Sequence, residues 1–226
     1  LQISENHGKN KIIDMTNQVT LSAIFLVGIG LLLVFNELIY RRLNLKGEVT
    51  QKFAHFAATL ATVTFPYLFS SHWYILILAG IFFAILFFSR NGAQLKSIHD
   101  IDRKSVGSYL LPVSIYITFL IAQLLGNKFL FILPMLILAI CDPMAGILGI
   151  NLKNYNHRIT IFGHKTKKTI LGSGSFLASS FIVSVIALYF HRTVFDLKTF
   201  WLAMGIAVIS TAVELISWRG TDNLSI

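Results

Sequence analysis

Residues 73–88 read Trp73-Tyr-Ile-Leu-Ile-Leu-Ala-Gly-Ile-Phe-Phe-Ala-Ile-Leu-Phe-Phe88, an uncharged apolar run flanked by Ser71-His72 and Ser89-Arg90. A helix needs about 20 mostly apolar residues to cross the hydrocarbon of a bilayer. Extended to Ser89, this run is one of the two clearest candidates in the chain; the other is 19–39. Working outward, the same pattern recurs at 53–70, 109–126, 128–149, 170–190 and 199–217. Lys52, His55 and several threonines make 53–70 the weakest of them. The expected fold is therefore an all-α polytopic membrane protein with about seven transmembrane helices. Residues 1–18 are expected to form an extracytoplasmic N-terminal tail. Residues 19–226 are expected to form one transmembrane domain.

Composition agrees with that reading. Of 226 residues, 55% are hydrophobic and 13% charged, with mean hydropathy +0.70. A soluble domain carries about 25% charged residues, so a water-soluble fold, a disordered chain and a coiled coil are excluded. Cys141 is the only cysteine and the seven histidines are scattered, so neither an internal disulfide nor a cysteine zinc site is expected. The span at 19–39 lies too far from the start, with its charges following it, to read as a cleaved signal peptide.

Net charge is +9, from 19 Lys and Arg against 10 Asp and Glu. In a membrane chain this excess points to topology and to anionic partners, not to nucleic acid. Of the basic residues, 14 fall in segments 40–52, 90–108 and 150–169 and in the stretch after 217, all on one side of a seven-span chain. The positive-inside rule places that side in the cytoplasm and the N-terminus outside. The host membrane is open: a bacterial inner membrane or the endoplasmic reticulum.

Asp142, within Ile140-Cys-Asp-Pro-Met-Ala-Gly146, is the most informative residue. A carboxylate at membrane depth costs several kcal/mol unless paired or hydrated, so it is a functional candidate by default. Its plainer reading is a structural carboxylate paired with a lysine. Pro143, with Gly146 and Gly149 behind it, predicts a broken helix there. A second constellation is Lys165-Thr-Lys-Lys-Thr-Ile-Leu-Gly-Ser-Gly-Ser175, where lysines precede the start of the sixth span. Free N–H groups and the dipole of such a helix start suit an anion, and Lys165, Lys167 and Lys168 suit a di- or triphosphate. No Walker A loop is present. The plainer reading is juxtamembrane charge with small residues packing helices. Glu214, inside the last span, and Asp222-Asn223 offer hard oxygen ligands for Mg²⁺. Lys52 and His55 share a helix face at i and i+3. The loop at 100–107, with Asp100, Asp102, Arg103, Lys104 and Ser105, is polar but unspecific. All these residues fall on the cytoplasmic side of the expected topology.

Taken in order, these residues resemble the CTP-dependent polyprenol kinases, the family of dolichol, phytol and farnesol kinases and of CTP-dependent diacylglycerol kinase. Asp142, Ala145 and Gly149 match its D-x-x-A-x-x-x-G segment. Lys167, Lys168, Thr169, Gly172 and Ser173 match K-K-T/S-x-E-G-S, with Leu171 in place of the Glu. Glu48-Val-Thr-Gln-Lys-Phe-Ala-His55 is similar to E-x-x-R-K-x-x-H, with Gln51 in place of the Arg. Ser105-x-Gly107 followed by Tyr109 and Pro112, and Glu214 followed by Asp222-Asn223-Leu-Ser-Ile226, resemble further family stretches.

The resemblance implies transfer of the γ-phosphoryl of CTP to the hydroxyl of a membrane isoprenoid alcohol, with Mg²⁺ or another divalent cation. Catalytic roles would fall to Asp142, Glu214, Lys52 and His55. Nucleotide contacts would fall to Lys165, Lys167, Lys168, Thr169, Gly172, Ser173, Ala145 and Gly149. Metal ligation would fall to Asp142, Asp222 and Asn223, and Asp142 could equally be the base. The resemblance also implies a proline and one more apolar span beyond Ile226. The alternatives are a diacylglycerol acceptor, a phosphatidate cytidylyltransferase, whose closing motif is not found here, and a small membrane transporter.

Overall fold

The computed structural model describes residues 2–43, 45, 47–90, 95–99, 107–151, 157–161, 164–217 and 221–225. Side chains are described from Met15 onward, except at 99, 150–151, 160–161, 164–167 and 222. The chain forms α1 (Gln2–Leu43), α2 (Gly47–Thr62), α3 (Phe65–Leu68), α4 (His72–Ser89), α5 (Lys96–His99), α6 (Gly107–Leu124), α7 (Phe129–Asn151), β1 (Arg158–Ile161), β2 (His164–Thr169), α8 (Ile170–Arg192), α9 (Leu197–Ile216) and α10 (Asp222–Ser225). α7 is the central helix, packed against α2, α6 and α8, while α8 also packs on α9 and α4 on α6.

Five helices are long and apolar enough to cross a membrane: Met15–Leu43, Gly107–Leu124, Phe129–Gly149, Ile170–Arg192 and Leu197–Ile216. Large apolar side chains are displayed outward along these helices and along α4. Phe88, Leu124, Phe190 and Ile216 are each at least 74% exposed. Water would penalise so continuous an apolar surface, and lipid does not. The chain is an integral membrane protein on these grounds.

The remaining two expected spans are shorter. The run Trp73–Phe88 forms α4, whose apolar stretch His72–Phe88 is one residue shorter than Gly107–Leu124. The expected span 53–70 is divided. α2 stops at Thr62, and Phe65–Leu68 forms a separate turn with Pro66 near its start. Pro66 has no N–H for the carbonyl of Thr62, four residues earlier, and its ring would press on that carbonyl if the helix continued. The break bends the chain into the corner that leads to α4.

Backbone groups exposed by that corner are met by amides from other helices. The buried Gln18 side chain donates from Nε2 to the Leu68 carbonyl at 3.1 Å and accepts at Oε1 from the Ser70 N–H at 3.2 Å. Gln123 Nε2 donates to the Ser70 carbonyl at 2.9 Å. Irregular backbone at membrane depth requires such partners, because lipid supplies none.

Three further features concern the ends and breaks of elements. Residues 2–18 are helical and continuous with the rest of α1. At 1.5 Å per residue, that helix outreaches the ~30 Å hydrocarbon core. The predicted break at Asp142-Pro143 is absent, since α7 runs through both Pro134 and Pro143. Pro143 there leaves the Ala139 carbonyl without its helical donor and its ring crowds that carbonyl, a cost that the packing of α7 against its neighbours offsets. The basic connection after α7 contains an antiparallel pair, β1 with β2, in which Arg158 faces Thr169 and Ile161 faces His164.

Aromatic side chains fill the core between α3, α4, α6 and α7. Phe65 stacks on Phe131 with centroids 6.5 Å apart, and Phe119 meets Phe131 edge-on at 5.5 Å. The core between α7 and α8 packs Leu133, Ile137, Cys141, Ala145 and Ala187 around Phe176. At the opposite end of the bundle from β1 and β2, the α8–α9 turn is closed by Asp196. Its Oδ1 accepts from the Thr199 N–H at 2.7 Å, and its carboxylate is gripped by Arg192. Hydrogen bonds from Arg192, then from the Thr199 hydroxyl and N–H, hold the Asp196 carboxyl well below the usual carboxylate range.

Candidate functional site

Two lysine–carboxylate pairs meet at the end of α7 where β2 joins α8. In the first, Lys52 on α2 donates from Nζ to Asp142 Oδ2 at 2.5 Å, across 90 residues of sequence. His55, one turn along the same face of α2, places Nε2 3.8 Å from that oxygen and 3.2 Å from the Leu138 carbonyl. Asp142 is 6% exposed. Asp142 thus has a lysine partner, as its plainer reading expects, but the lysine is itself a candidate site residue and a histidine completes the group.

In the second pair, Lys168 at the end of β2 donates to Glu214 Oε1 on α9. Ser173 Oγ, in the first turn of α8, donates to Glu214 Oε2 at 3.3 Å. Glu214 is 4% exposed. Lys168 adjoins Thr169, whose Oγ1 would lie 3.0 Å from a Cβ on Gly149, and Lys52 passes against Gly146 one turn earlier on α7, so the two pairs form one field of alternating sign. A buried pair is held together largely because separating it would strand a charge in low dielectric. Each lysine is thereby aimed into the site before any ligand arrives.

The helices bearing these groups approach closely because they lack side-chain bulk. A Cβ placed on Gly172 would lie 2.8 Å from Thr169 Oγ1 and 3.2 Å from the Ala145 carbonyl, and one on Gly149 would lie 3.0 Å from Thr169 Oγ1. Ala145, Gly149 and Gly172 therefore form the close crossing of α7 and α8. A Cβ on Gly146 would meet Lys52 Cε at 2.8 Å, so this glycine makes the corridor through which Lys52 reaches Asp142.

Gly172→Ala is expected to lower stability by about 1–3 kcal/mol, because the obstacle is partly backbone and cannot swing away. Gly174→Ala, with nothing within 4 Å of its Cβ, is the control expected to be neutral or stabilising. Thermal unfolding of the two variants in detergent checks this; equal midpoints would refute the close crossing.

The start of α8 differs from its sequence reading. Its amides were expected to be free for an anion, yet the Ile170 N–H donates to the His157 carbonyl at 3.0 Å and the Gly172 N–H to Thr169 Oγ1 at 3.2 Å. Thr169 caps the helix in an ordinary way. An anion here would be met mainly by lysine ammonium groups and the helix dipole.

The structure gathers Lys52, His55, Asp142, Lys168, Ser173 and Glu214, with Ala145, Gly149, Thr169 and Gly172 beneath them. Lys165 and Lys167 lie on β2, but their side chains are outside the described ones, as is that of Asp222 on α10. Asn223 is buried, and its Nδ2 donates to the Gly107 carbonyl at 2.7 Å, docking α10 on the start of α6. The loop residues 100–106 lie outside the described residues. Sequence reasoning missed two anchors of the neighbouring segment. Thr50 Oγ1 donates to the Ser97 carbonyl at 2.7 Å, and Glu37 Oε2 accepts from the Ser97 N–H at 2.8 Å. Only an acidic residue late in an apolar span hinted at Glu37.

Among the described residues, no group of three or more His, Cys, Asp and Glu side chains could hold a metal ion. A metal bound here would need oxygens from a ligand as well as from the protein. No protein-family model, no curated protein and no solved structure matches the chain.

Proposed function

We propose that the chain is a lipid kinase that moves the γ-phosphoryl group of CTP to the hydroxyl of a membrane alcohol. An isoprenoid alcohol is the acceptor that the sequence resemblance names first, giving a polyprenyl monophosphate. The observation that carries the reading is the adjacency of Lys52–Asp142 and Lys168–Glu214. These are two buried pairs of opposite charge, set where a basic hairpin meets an apolar bundle. Phosphoryl transfer depends on positioning and charge neutralisation more than on covalent chemistry, and such a field supplies both.

In this reading the nucleotide enters from the hairpin side, and Lys168 turns from Glu214 toward its phosphates. Lys165 and Lys167 add charge along β2. The alcohol enters sideways between helices with its tail in lipid. As Lys52 shifts its hydrogen bond to the γ-phosphoryl, Asp142 takes the proton of the alcohol. The alcohol oxygen bonds to phosphorus, the bond to the β-phosphate oxygen breaks, and CDP leaves. His55 orients Asp142. With Asp142 as the base, Mg²⁺ would be held by Asp222 and Asn223 and by the phosphate oxygens, and would neutralise their charge. The two shorter apolar segments, α2–α3 and α4, complete a seven-span bundle in this proposal. The positive-inside rule then puts the site in the cytoplasm and the N-terminus outside, in a bacterial inner membrane or the endoplasmic reticulum.

The test is an acceptor screen on purified protein with γ-labelled CTP and ATP, scoring both labelled lipid and the nucleotide product. Label in a lipid alcohol together with CDP is the expected result. Release of pyrophosphate would make the protein a cytidylyltransferase instead. Absence of any stabilisation by CTP, with or without Mg²⁺, would favour a transporter.

A further inference from the structure

Arg90 stands one residue past the end of α4 and is exposed. Its Nη1 donates to the Tyr109 hydroxyl oxygen at 3.3 Å, and its Cζ lies 5.7 Å from the centroid of the Tyr109 ring. Tyr109, in the first turn of α6, is itself held edge-to-face by Phe83 and Phe87 of α4, with centroids 6.0 and 5.7 Å away. The hydrogen bond and the ring together fix a side chain that would otherwise be free to rotate. Arg41 and Arg192 are each fixed differently, by a carboxylate four residues away. Among the described residues no carboxylate pairs with Arg90.

The unspent polar groups at this place are all donors. A guanidinium has five N–H groups, of which the bond to Tyr109 uses one, and the Tyr109 hydroxyl accepts there and keeps its own proton to give. Lys96, exposed on α5, follows Leu95, which packs on the same apolar cluster as Tyr109. Glu37, the carboxylate that reaches this segment, is taken up by Arg41 Nε at 2.7 Å and by the Ser97 N–H at 2.8 Å. Donors carrying two positive charges suit a ligand that only accepts, an anionic phosphate. The apolar surroundings narrow the choice. Phe87 and Phe88, the last two apolar residues of α4, are 45% and 77% exposed, so hydrocarbon must cover the surface next to the guanidinium. A phosphate with acyl chains attached meets both conditions, and a free phosphate meets one.

We infer that Arg90, Tyr109 and Lys96 form a binding site for the phosphate of an anionic membrane phospholipid, whose acyl chains lie along Phe87 and Phe88. Basic pockets between membrane helices hold anionic head groups in this way, and the planar guanidinium fork matches two phosphate oxygens. The site is carried by α4, α5 and α6, none of which bears Lys52, Asp142, Lys168 or Glu214. It therefore stands whatever reaction the chain performs.

The test is direct binding to the full chain in detergent, read by thermal unfolding. The probes are dioctanoylphosphatidylglycerol, dioctanoylphosphatidylcholine and glycerol phosphate. Phosphatidylglycerol is expected to raise the unfolding temperature saturably, at concentrations where the other two do not. Arg90→Gln should raise the Kd for phosphatidylglycerol about tenfold, the loss of one charge-assisted contact. Tyr109→Phe, which keeps the ring and releases the guanidinium, should raise it about threefold. Arg42→Gln removes an exposed arginine at the end of α1 and is the control expected to leave the Kd within about twofold. Equal weakening by Arg90→Gln and Arg42→Gln would reduce the site to diffuse surface charge and overturn the inference. So would equal stabilisation by the two lipids, or no binding of phosphatidylglycerol to the wild type. Glycerol phosphate binding as tightly as phosphatidylglycerol would overturn the lipid assignment in favour of a soluble phosphate. Should Arg90→Gln fail to fold, Arg90→Lys keeps the charge without the fork, and an unchanged Kd in that variant would equally overturn the inference.

Discussion

Asp142→Asn is expected to lower CTP-dependent lipid phosphorylation by about a thousandfold or more, the scale of losing both a proton acceptor and a fixed charge at the transition state. The substitution keeps the size of the side chain and removes its charge, so Lys52 loses the carboxylate it donates to at 2.5 Å. Breaking one side of a buried pair costs about 3–5 kcal/mol, and Lys52, with 13% of its side chain exposed, should fall near the lower end of that range. Stability and turnover must therefore be measured on the same sample. The double variant Lys52→Met/Asp142→Leu removes both charges together and should recover most of the lost stability with none of the lost activity. Near-normal turnover in Asp142→Asn would remove Asp142 from the chemistry and leave it a structural carboxylate.

Lys168→Met is expected to have the next largest effect, raising the KM for CTP and lowering kcat by about 10²–10³-fold. The side chain joins a hairpin strand to a buried glutamate of α9, so its loss also strands Glu214 with Ser173 Oγ at 3.3 Å as its remaining described donor. Lys168→Met/Glu214→Gln makes that position neutral again. If lost stability explained lost turnover, the double variant would recover both. If Lys168 binds phosphate, unfolding recovers and the KM for CTP stays raised. An unchanged KM in Lys168→Met would move the nucleotide away from β2.

The membrane class was legible because hydropathy is a property of composition, and lipid-facing side chains such as Phe88 and Phe190 contribute to it wherever they point. Element lengths were less legible. The expected span 53–70 is divided into α2 and α3, because hydropathy does not say where a corner will be cut. Pro66 ends a helix and Pro143 does not, and the difference lies in context. α7 is clasped by neighbours on several sides, whereas Pro66 stands in the first turn of α3, where a missing N–H leaves no helical bond unmade. The hairpin was hidden because the lysines of β2 dominate its reading, although Arg158-Ile-Thr-Ile161 does alternate as a strand should.

Candidate site residues could be found by asking which charges occur in apolar stretches. Their pairing could not, since Lys52 and Asp142 are 90 positions apart and nothing in either segment names the other.

The corner at Leu68–Ser70 bears on how the protein is made. Its backbone is completed by Gln18, which lies 50 residues earlier. Synthesis delivers the glutamine to the bilayer first, and the corner emerges later to find its partner already in place. The first helix thus serves as a template for the third and fourth. Assembly in the membrane should therefore proceed in the order of translation, with Gln18 as its first checkpoint.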